Sequence, residues 1–341
     1  MIVDLQNRVK DFVKQLEFAP ALDNSELTNS TQITADSIYR LVANSKFRRT
    51  KVDEVSEVDI KMKIQNALDS NLPIEYSIPF GGYKNYRMPT FPEADWAEVF
   101  NIRFMIRYLL PIASVYKHGV ILTYSYNSQI MHRVSNMSLT KQKAYEDSIT
   151  NLINYFNKQC PENLILKTQK INDLYSSKED WQDELNKNYE RNKREWDSLY
   201  DLPLREKKLK SARHNLILDG ERNLVNLSNT EIETEYLNAA MMCDAIDCLS
   251  KRREFNKFSH RIQVVFIRGP KPAIHLGVCE GSTMDFWVGL GVMEIRENKI
   301  LPKILSFEQF ESLKSSIQML EVENNFSTIS KNFNKVLTIN N

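Results

Sequence analysis

Asp95-Trp96-Ala97-Glu98-Val99-Phe100-Asn101-Ile102-Arg103-Phe104-Met105-Ile106-Arg107-Tyr108-Leu109-Leu110-Pro111-Ile112-Ala113-Ser114-Val115-Tyr116 is the stretch on which the fold turns. Apolar residues leave little of its circumference polar, so it reads as a helix buried on all sides and not as a surface helix. Asp95 and Glu98 form the Asp-x-x-Glu pattern of a capping box at its start. Pro111 is expected to kink or divide it. Lys117-His118-Gly119-Val120 then leads into a strand, Ile121 to Tyr126. The run Gly119 to Ser135 reads as a hairpin turning at Asn127-Ser128. A buried helix delivered into a central strand predicts a mixed α/β fold, a central sheet flanked by buried helices.

Upstream lies Ile78-Pro79-Phe80-Gly81-Gly82-Tyr83-Lys84-Asn85-Tyr86-Arg87. Proline stiffens this loop, the glycine pair lets backbone amides approach a ligand, and Lys84 and Arg87 supply positive charge. That combination suits a phosphate or carboxylate; it equally fits a turn with surface cations. Earlier still, Val3, Leu5, Val9, Phe12, Val13 and Leu16 have helical spacing. Helices are also predicted from Ser37 to about Ser45, with an N-cap near Thr34 or Asp36, and from Val55 to Ser70.

Downstream, a helix is predicted from about Thr140 to Lys158. Ser176 to Tyr200 is charged and helix-favouring, with Trp181, Leu185, Tyr189 and Trp196 at roughly helical spacing. Paired with Leu202 to His214, it reads as an antiparallel arm, either a solvated helix with one packed stripe or a docking arm for a protein partner over 176–214. Glu231 to Lys257 reads as a second buried helix. Ile262 to Ile267, Ala273 to Cys279, Asp285 to Ile295 and Ile300 to Leu305 read as an antiparallel meander. A last helix, Phe307 to Leu320, and a polar tail are expected to follow. The organisation so read is an N-terminal helical segment (1–70), a core α/β region with the Gly-Gly loop (71–175), the charged arm (176–215) and a C-terminal α/β region (216–341).

The chain has 341 residues, 42% hydrophobic and 26% charged, with a net charge of +1. Such a balance reads as globular and steers nothing toward nucleic acid or an anionic membrane. No apolar run reaches membrane-spanning length and no signal-peptide core opens the chain, so a cytoplasmic protein is expected. The four cysteines, Cys160, Cys243, Cys248 and Cys279, read as reduced thiols, and no zinc spacing accompanies them. No Gly-x-Ser-x-Gly, His-Glu-x-x-His or kinase motif occurs, and basic patches interleaved with aromatics are absent.

The central block resembles the isonitrile synthase family, also called the pyoverdine/dityrosine biosynthesis family. Asp95-Trp96-Ala97-Glu98 stands where that family has its acidic helix start, and Tyr116-Lys117-His118-Gly119-Val120 stands at the spacing of its Tyr-x-x-Gly-Ala. Ile130-Met131 and Ala144-Tyr145 match an apolar pair and an Ala-Tyr further on. Trp287-Val288-Gly289-Leu290-Gly291-Val292 resembles the strand that begins at the family's Thr-Pro-Trp-His. The likeness covers about a third of the chain. Two motifs depart: the family's Ser-Asp-Gly reads Tyr126-Asn127-Ser128, and its Thr-Pro-Trp-His reads Asp285-Phe286-Trp287-Val288. The resemblance implies a Rossmann-like core. It also implies a metal-free synthase without a cofactor, which converts the amine of an amino acid to an isonitrile with ribulose 5-phosphate as carbon source. The departures leave open a relative that has lost catalysis, and an enzyme joining another amino compound to a phosphorylated sugar.

That chemistry needs cations for a ketose phosphate and groups that move protons. The cations on offer are Lys84, Arg87, Arg103, Arg107 and Arg261; Tyr83 and Trp287 offer aromatic walls. Glu98, Asp95 and His275 are the candidate acids and bases. Arg103 and Arg107 lie one turn apart and share a helix face. In apolar surroundings each needs an anionic or carbonyl partner, either structural or belonging to a substrate. His275 falls on one strand face with Ala273 and Gly277, near Arg261 in the same region.

Overall fold

The computed structural model describes residues 2–27, 32–80, 92–126, 138–218, 227–235, 257–265, 272–277, 289–297 and 299–340. Three helices open the chain: α1 (Ile2–Leu16), α2 (Ala35–Val42) and α3 (Glu54–Ser70). An alternating run follows: β1 (Ile74–Phe80), α4 (Trp96–Val115), β2 (Val120–Tyr126), α5 (Leu139–Asn157) and β3 (Leu164–Lys170). Helices α6 (Lys178–Asp197), α7 (Leu202–Leu218) and α8 (Asn229–Glu235) precede β4 (Ile262–Val265) and β5 (Ile274–His275). The chain closes with β6 (Leu290–Arg296), β7 (Lys299–Leu305), α9 (Phe307–Leu313), β8 (Ile317–Glu321) and β9 (Lys335–Asn340).

Local chemistry sets these boundaries. Thr34 caps α2 in a reciprocal pair: Ser37 N–H donates to Thr34 Oγ1 and Thr34 N–H donates to Ser37 Oγ. Asn71 ends α3 in the left-handed region, at φ 54°. Gly119 carries the chain into β2 at φ +72°, and a Cβ there would lie 1.9 Å from the Asn163 carbonyl oxygen. Only glycine fits that turn.

The first sheet is parallel throughout, in the order β3-β2-β1-β4-β5. One face is apolar and packs on α4 and α5: the rings of Tyr76 and Tyr108 meet edge to face, and Tyr124 Oη donates to Asn101 Oδ1. At the β3 edge, the Asn157 side chain donates to the Leu166 carbonyl and accepts from its N–H. The amide thus stands in for a further strand and closes an edge that would otherwise be open to pairing.

The second sheet is mixed, in the order β7-β6-β9-β8, with β6 parallel to β9 and the other pairs antiparallel. Helix α4 packs against strands of both sheets, which is why it is apolar all round. Phe100 and Ile106 are buried in it and Val115 is half-buried. It runs on through Pro111 as one helix, so the proline does not divide it. One turn from the helix end, the proline forfeits only the amide bond back toward Arg107.

The expected meander divides between the sheets: β4 and β5 join the parallel sheet, and only β6 and β7 form an antiparallel hairpin. Alternation identifies a strand but not its partner, so the sequence pattern could not assign them. The last helix ends at Leu313, and Ile317–Glu321 is a strand, not its continuation. The polar tail holds β9, whose Val336 to Thr338 and Ile339 are buried. The arm forms as α6 and α7, with Trp181, Leu185 and Trp196 buried along one stripe. Trp196 Nε1 donates to Glu233 Oε1, and Arg205 pairs with the same carboxylate while its guanidinium lies 4.5 Å from the centre of the Trp196 ring. The predicted helix over Glu231 to Lys257 lies outside the described residues beyond Glu235. The hairpin expected after Tyr126 does not form on β2, which is paired in parallel along its whole length with β1 on one side and β3 on the other. Among the described residues, no helix is long and apolar enough to cross a membrane.

Candidate functional site

Parallel sheets buried on both faces read as near-continuous apolar runs. This one does not. On the face turned away from α4, alternate positions carry Glu75 and Ser77 in β1, Thr123 and Ser125 in β2, and Gln263 in β4. Ser77, Thr123, Ser125 and Gln263 are nonetheless buried. Ser77 and Ser125 share a hydrogen bond of 3.1 Å. Thr123 Oγ1 and Gln263 Nε2 find no hydrogen-bond partner among the described residues. Buried polar atoms left in this state mark places where a ligand or ordered water completes the bonding.

Arg261 lies across this face. Its Nε donates to Glu75 Oε2 at 3.0 Å, its Nη1 to Gln169 Oε1 at 2.8 Å, and its guanidinium stacks 3.6 Å from the centre of the Phe258 ring. Only 5% of its surface is exposed. His260 Nε2 stands 3.4 Å from the same Glu75 oxygen. His275 pairs with Val265 in the register that places it on the Gln263 side of the sheet, toward the carboxyl ends of the strands. Its own carbonyl accepts from Arg49 N–H at 2.8 Å and Gly277 N–H donates to the Phe47 carbonyl at 2.8 Å, so the segment around Arg48 covers the outer edge of β5. Arg261 and His275 thus lie on the same face of the sheet, Arg261 just before the amino end of β4 and His275 beside its last residue.

Chain order singles out the carboxyl end of this face, where His275 lies. From β1 the chain winds outward through β2 and β3, then returns to β4 on the other side of β1. That reversal lies between β1 and β4, and open α/β sheets bind ligands outside the carboxyl ends at such a point. The glycine loop with Lys84 and Arg87 follows directly on β1 in sequence. It and the aromatic candidates Tyr83 and Trp287 lie outside the described residues.

The other candidates lie elsewhere. Asp95 and Glu98 are fully buried at the start of α4. Asp95 Oδ1 accepts from Ala97 N–H at 2.7 Å and from Gly291 N–H at 3.2 Å. Glu98 Oε2 accepts from Asp95 N–H at 2.7 Å, and its Oε1 accepts from Tyr145 Oη at 3.0 Å. Burial first, and the nearby Glu98 charge second, raise the Tyr145 phenol well above its ordinary pKa, so it remains a donor. Both carboxylates bind backbone and phenol in a capping box that joins α4, α5 and β6, on the other side of the sheet from Arg261.

Arg103 and Arg107 share a face as their spacing predicts, but that face lines a cleft against α1 and β7. Arg103 Nη1 donates to the Leu16 carbonyl, and Arg107 Nη2 stands 3.7 Å from Asp23 Oδ2. Since α4 covers the apolar face of the sheet, neither arginine shares a site with Arg261. Spacing along one helix shows which residues are neighbours, not what lies across from them. The sequence reading passed over Ser77, Thr123, Ser125 and Gln263. Their signal was present as polar residues alternating with Tyr76, Ile78, Leu122, Tyr124, Ile262 and Val264.

No protein-family model matches the chain, and no curated protein matches it. Among solved structures, it is similar to the crystal structure of the PvcA protein from Pseudomonas aeruginosa, with a TM-score of 0.60 at 13% identity. The match covers 89% of this chain and 99% of that one. The two share a fold, a parallel sheet flanked by helices with a second mixed sheet behind.

Proposed function

We propose that this chain is a biosynthetic enzyme of the isonitrile-synthase type, acting on the amine of an amino acid with a sugar phosphate such as ribulose 5-phosphate as carbon donor. The observation that carries this reading is the buried polar face crossed by Arg261. The motif resemblance around Asp95 to Val120 and the PvcA-like fold support it. In this reading Arg261, held by Glu75, Gln169 and Phe258, supplies the fixed positive charge for the phosphorylated substrate. Thr123, Ser77, Ser125 and Gln263 offer hydroxyl and amide groups to a polyhydroxylated chain. His275 is the proton-transfer group at the carboxyl edge. Lys84, Arg87, Tyr83 and Trp287 would add cations and aromatic walls from the segments next to β1 and β6.

The test is incubation with a panel of amino acids and ribulose 5-phosphate, with products read by mass. An isonitrile product is expected from the native chain. Arg261→Met is expected to lower its rate at least about tenfold, the equivalent of one charge-assisted hydrogen bond. The second reading is a relative that keeps the fold as a binding module, favoured by the changed Tyr126-Asn127-Ser128 and Asp285-Phe286-Trp287-Val288 motifs. Absence of any product, with sugar phosphates also failing to stabilise the folded protein, would overturn the enzyme reading in favour of that one.

A further inference from the structure

The cleft between α1, α4 and β7 has a volume of about 720 Å³ and opens on the opposite side of α4 from the parallel sheet. That volume lies in the range of small-molecule sites, about 300–1,000 Å³. Phe12, Phe47 and Phe104 wall it, and Leu301 and Pro302 of β7 close one side. The rings of Phe47 and Phe104 meet edge to face at 5.6 Å, so the aromatic wall is fixed by packing.

The polar end is built differently. Lys46 Nζ and Arg107 Nη2 both approach one carboxylate oxygen, Asp23 Oδ2, at 3.1 and 3.7 Å. Arg107 also lies over the Phe47 ring at 6.0 Å, joining the charged end to the aromatic wall. Arg103 bonds the Leu16 carbonyl and so holds the end of α1 against the cleft. Asp23 sits on a short turn at the rim, where Ser25 donates to it from both hydroxyl and amide. Those bonds and Lys46 lower its pKa to about 2, so it is ionised at neutral pH.

We infer that this cleft is a second small-molecule site, and that it takes an organic carboxylate with an aromatic body. The geometry around Asp23 shows a lysine and an arginine already spaced for a carboxylate oxygen beside an aromatic wall. An incoming carboxylate takes the place of the Asp23 side chain at this cation pair, and its ring packs against Phe47 and Phe104. The site stands apart from the polar face of the sheet and does not rest on the reaction proposed above.

The experiment is calorimetric titration with 3-phenylpropionate, with 3-phenylpropanol as the uncharged control and no sugar phosphate present. The carboxylate is expected to bind at least about tenfold more tightly than the alcohol, and Arg107→Met to remove most of that difference. Asp23→Asn keeps a residue able to cap the turn but removes the competing charge. It is expected to tighten the carboxylate about fivefold, the effect of one unit charge near 4 Å in a watery surrounding. Arg261→Met is expected to leave this binding unchanged. Equal affinity for the carboxylate and the alcohol, or no response to either cleft variant, would overturn the assignment. Loss of binding in Arg261→Met would overturn the separation of the two sites.

Discussion

Gly291→Ala is expected to destabilise the protein strongly, although it adds a single methyl group. A Cβ built at Gly291 lies 2.2 Å from the Ala97 amide nitrogen, 2.4 Å from the Trp96 carbonyl carbon and 2.6 Å from Trp96 Cβ. Two of these are backbone atoms at the start of α4, and no rotamer change can move them. Gly291 also donates its N–H to Asp95 Oδ1, so separating the strand from the helix would break the cap. Trp96 is pinned from the other side, with Nε1 donating to the Lys335 carbonyl and its ring packed edge to face on Phe326 and Phe333. Overpacking a core commonly costs about 1–3 kcal/mol. A rigid backbone contact belongs at or above the top of that range, against a total stability of about 5–15 kcal/mol. Thermal unfolding should show a fall of several degrees in the melting temperature. A variant that melts with the native protein would show that α4 and β6 are not in close contact.

The second large effect is expected at Glu98. Its removal as Glu98→Ala leaves two buried donors, Asp95 N–H and Tyr145 Oη, without their acceptor. Each stranded buried group costs about 1–3 kcal/mol, so roughly 2–6 kcal/mol is at stake. The loss spreads beyond the helix start, because Tyr145 belongs to α5 and the Ser148 hydroxyl one turn on accepts from Ala94 N–H. Glu98→Gln retains one acceptor oxygen and is expected to lose about half as much. These two variants also separate the roles weighed for this residue. A cap loses stability in step with the lost bonds. A catalytic carboxylate would instead leave Glu98→Gln folded and inactive, and chemical denaturation run beside the product assay distinguishes the two.

Much of the core was legible from composition at particular places. An apolar circumference from Trp96 to Val115 can only be a helix with neighbours on all sides, and α4 lies between two sheets. Asp95 and Glu98 announced their cap by spacing alone. Partner identity was not legible in the same way. Ile262–Val265 and Ile274–His275 are short apolar runs, and nothing within them separates a parallel neighbour from a hairpin. The strand Lys335–Asn340 was hidden because its four buried residues are flanked by lysine and asparagines in a polar tail. At the site, Arg261 and His275 drew notice as a charge and a titratable group in strands. The neutral Ser77, Thr123, Ser125 and Gln263 did not, because single polar residues in strands usually face solvent. Only the sheet's register shows that they share a buried face. Arg103 and Arg107 illustrate the converse: their common face was predicted, but the α1 and β7 surfaces opposite it are contributed by remote sequence.

If the polar face of the parallel sheet receives the substrate, Thr123→Val separates what this hydroxyl does for stability from what it does for binding. Valine fills nearly the same volume and removes only Oγ1, a buried atom with no partner among the described residues. A buried hydroxyl without a partner costs about 1–3 kcal/mol, so the variant should melt higher than the native protein. The measurement is titration of ribulose 5-phosphate into both proteins. The expected result is a more stable variant that binds the sugar phosphate roughly three- to tenfold more weakly, the worth of one hydrogen bond. A variant with raised stability and unaltered affinity would mean that the hydroxyl does not meet the ligand, and would contradict the assignment of the site to this face.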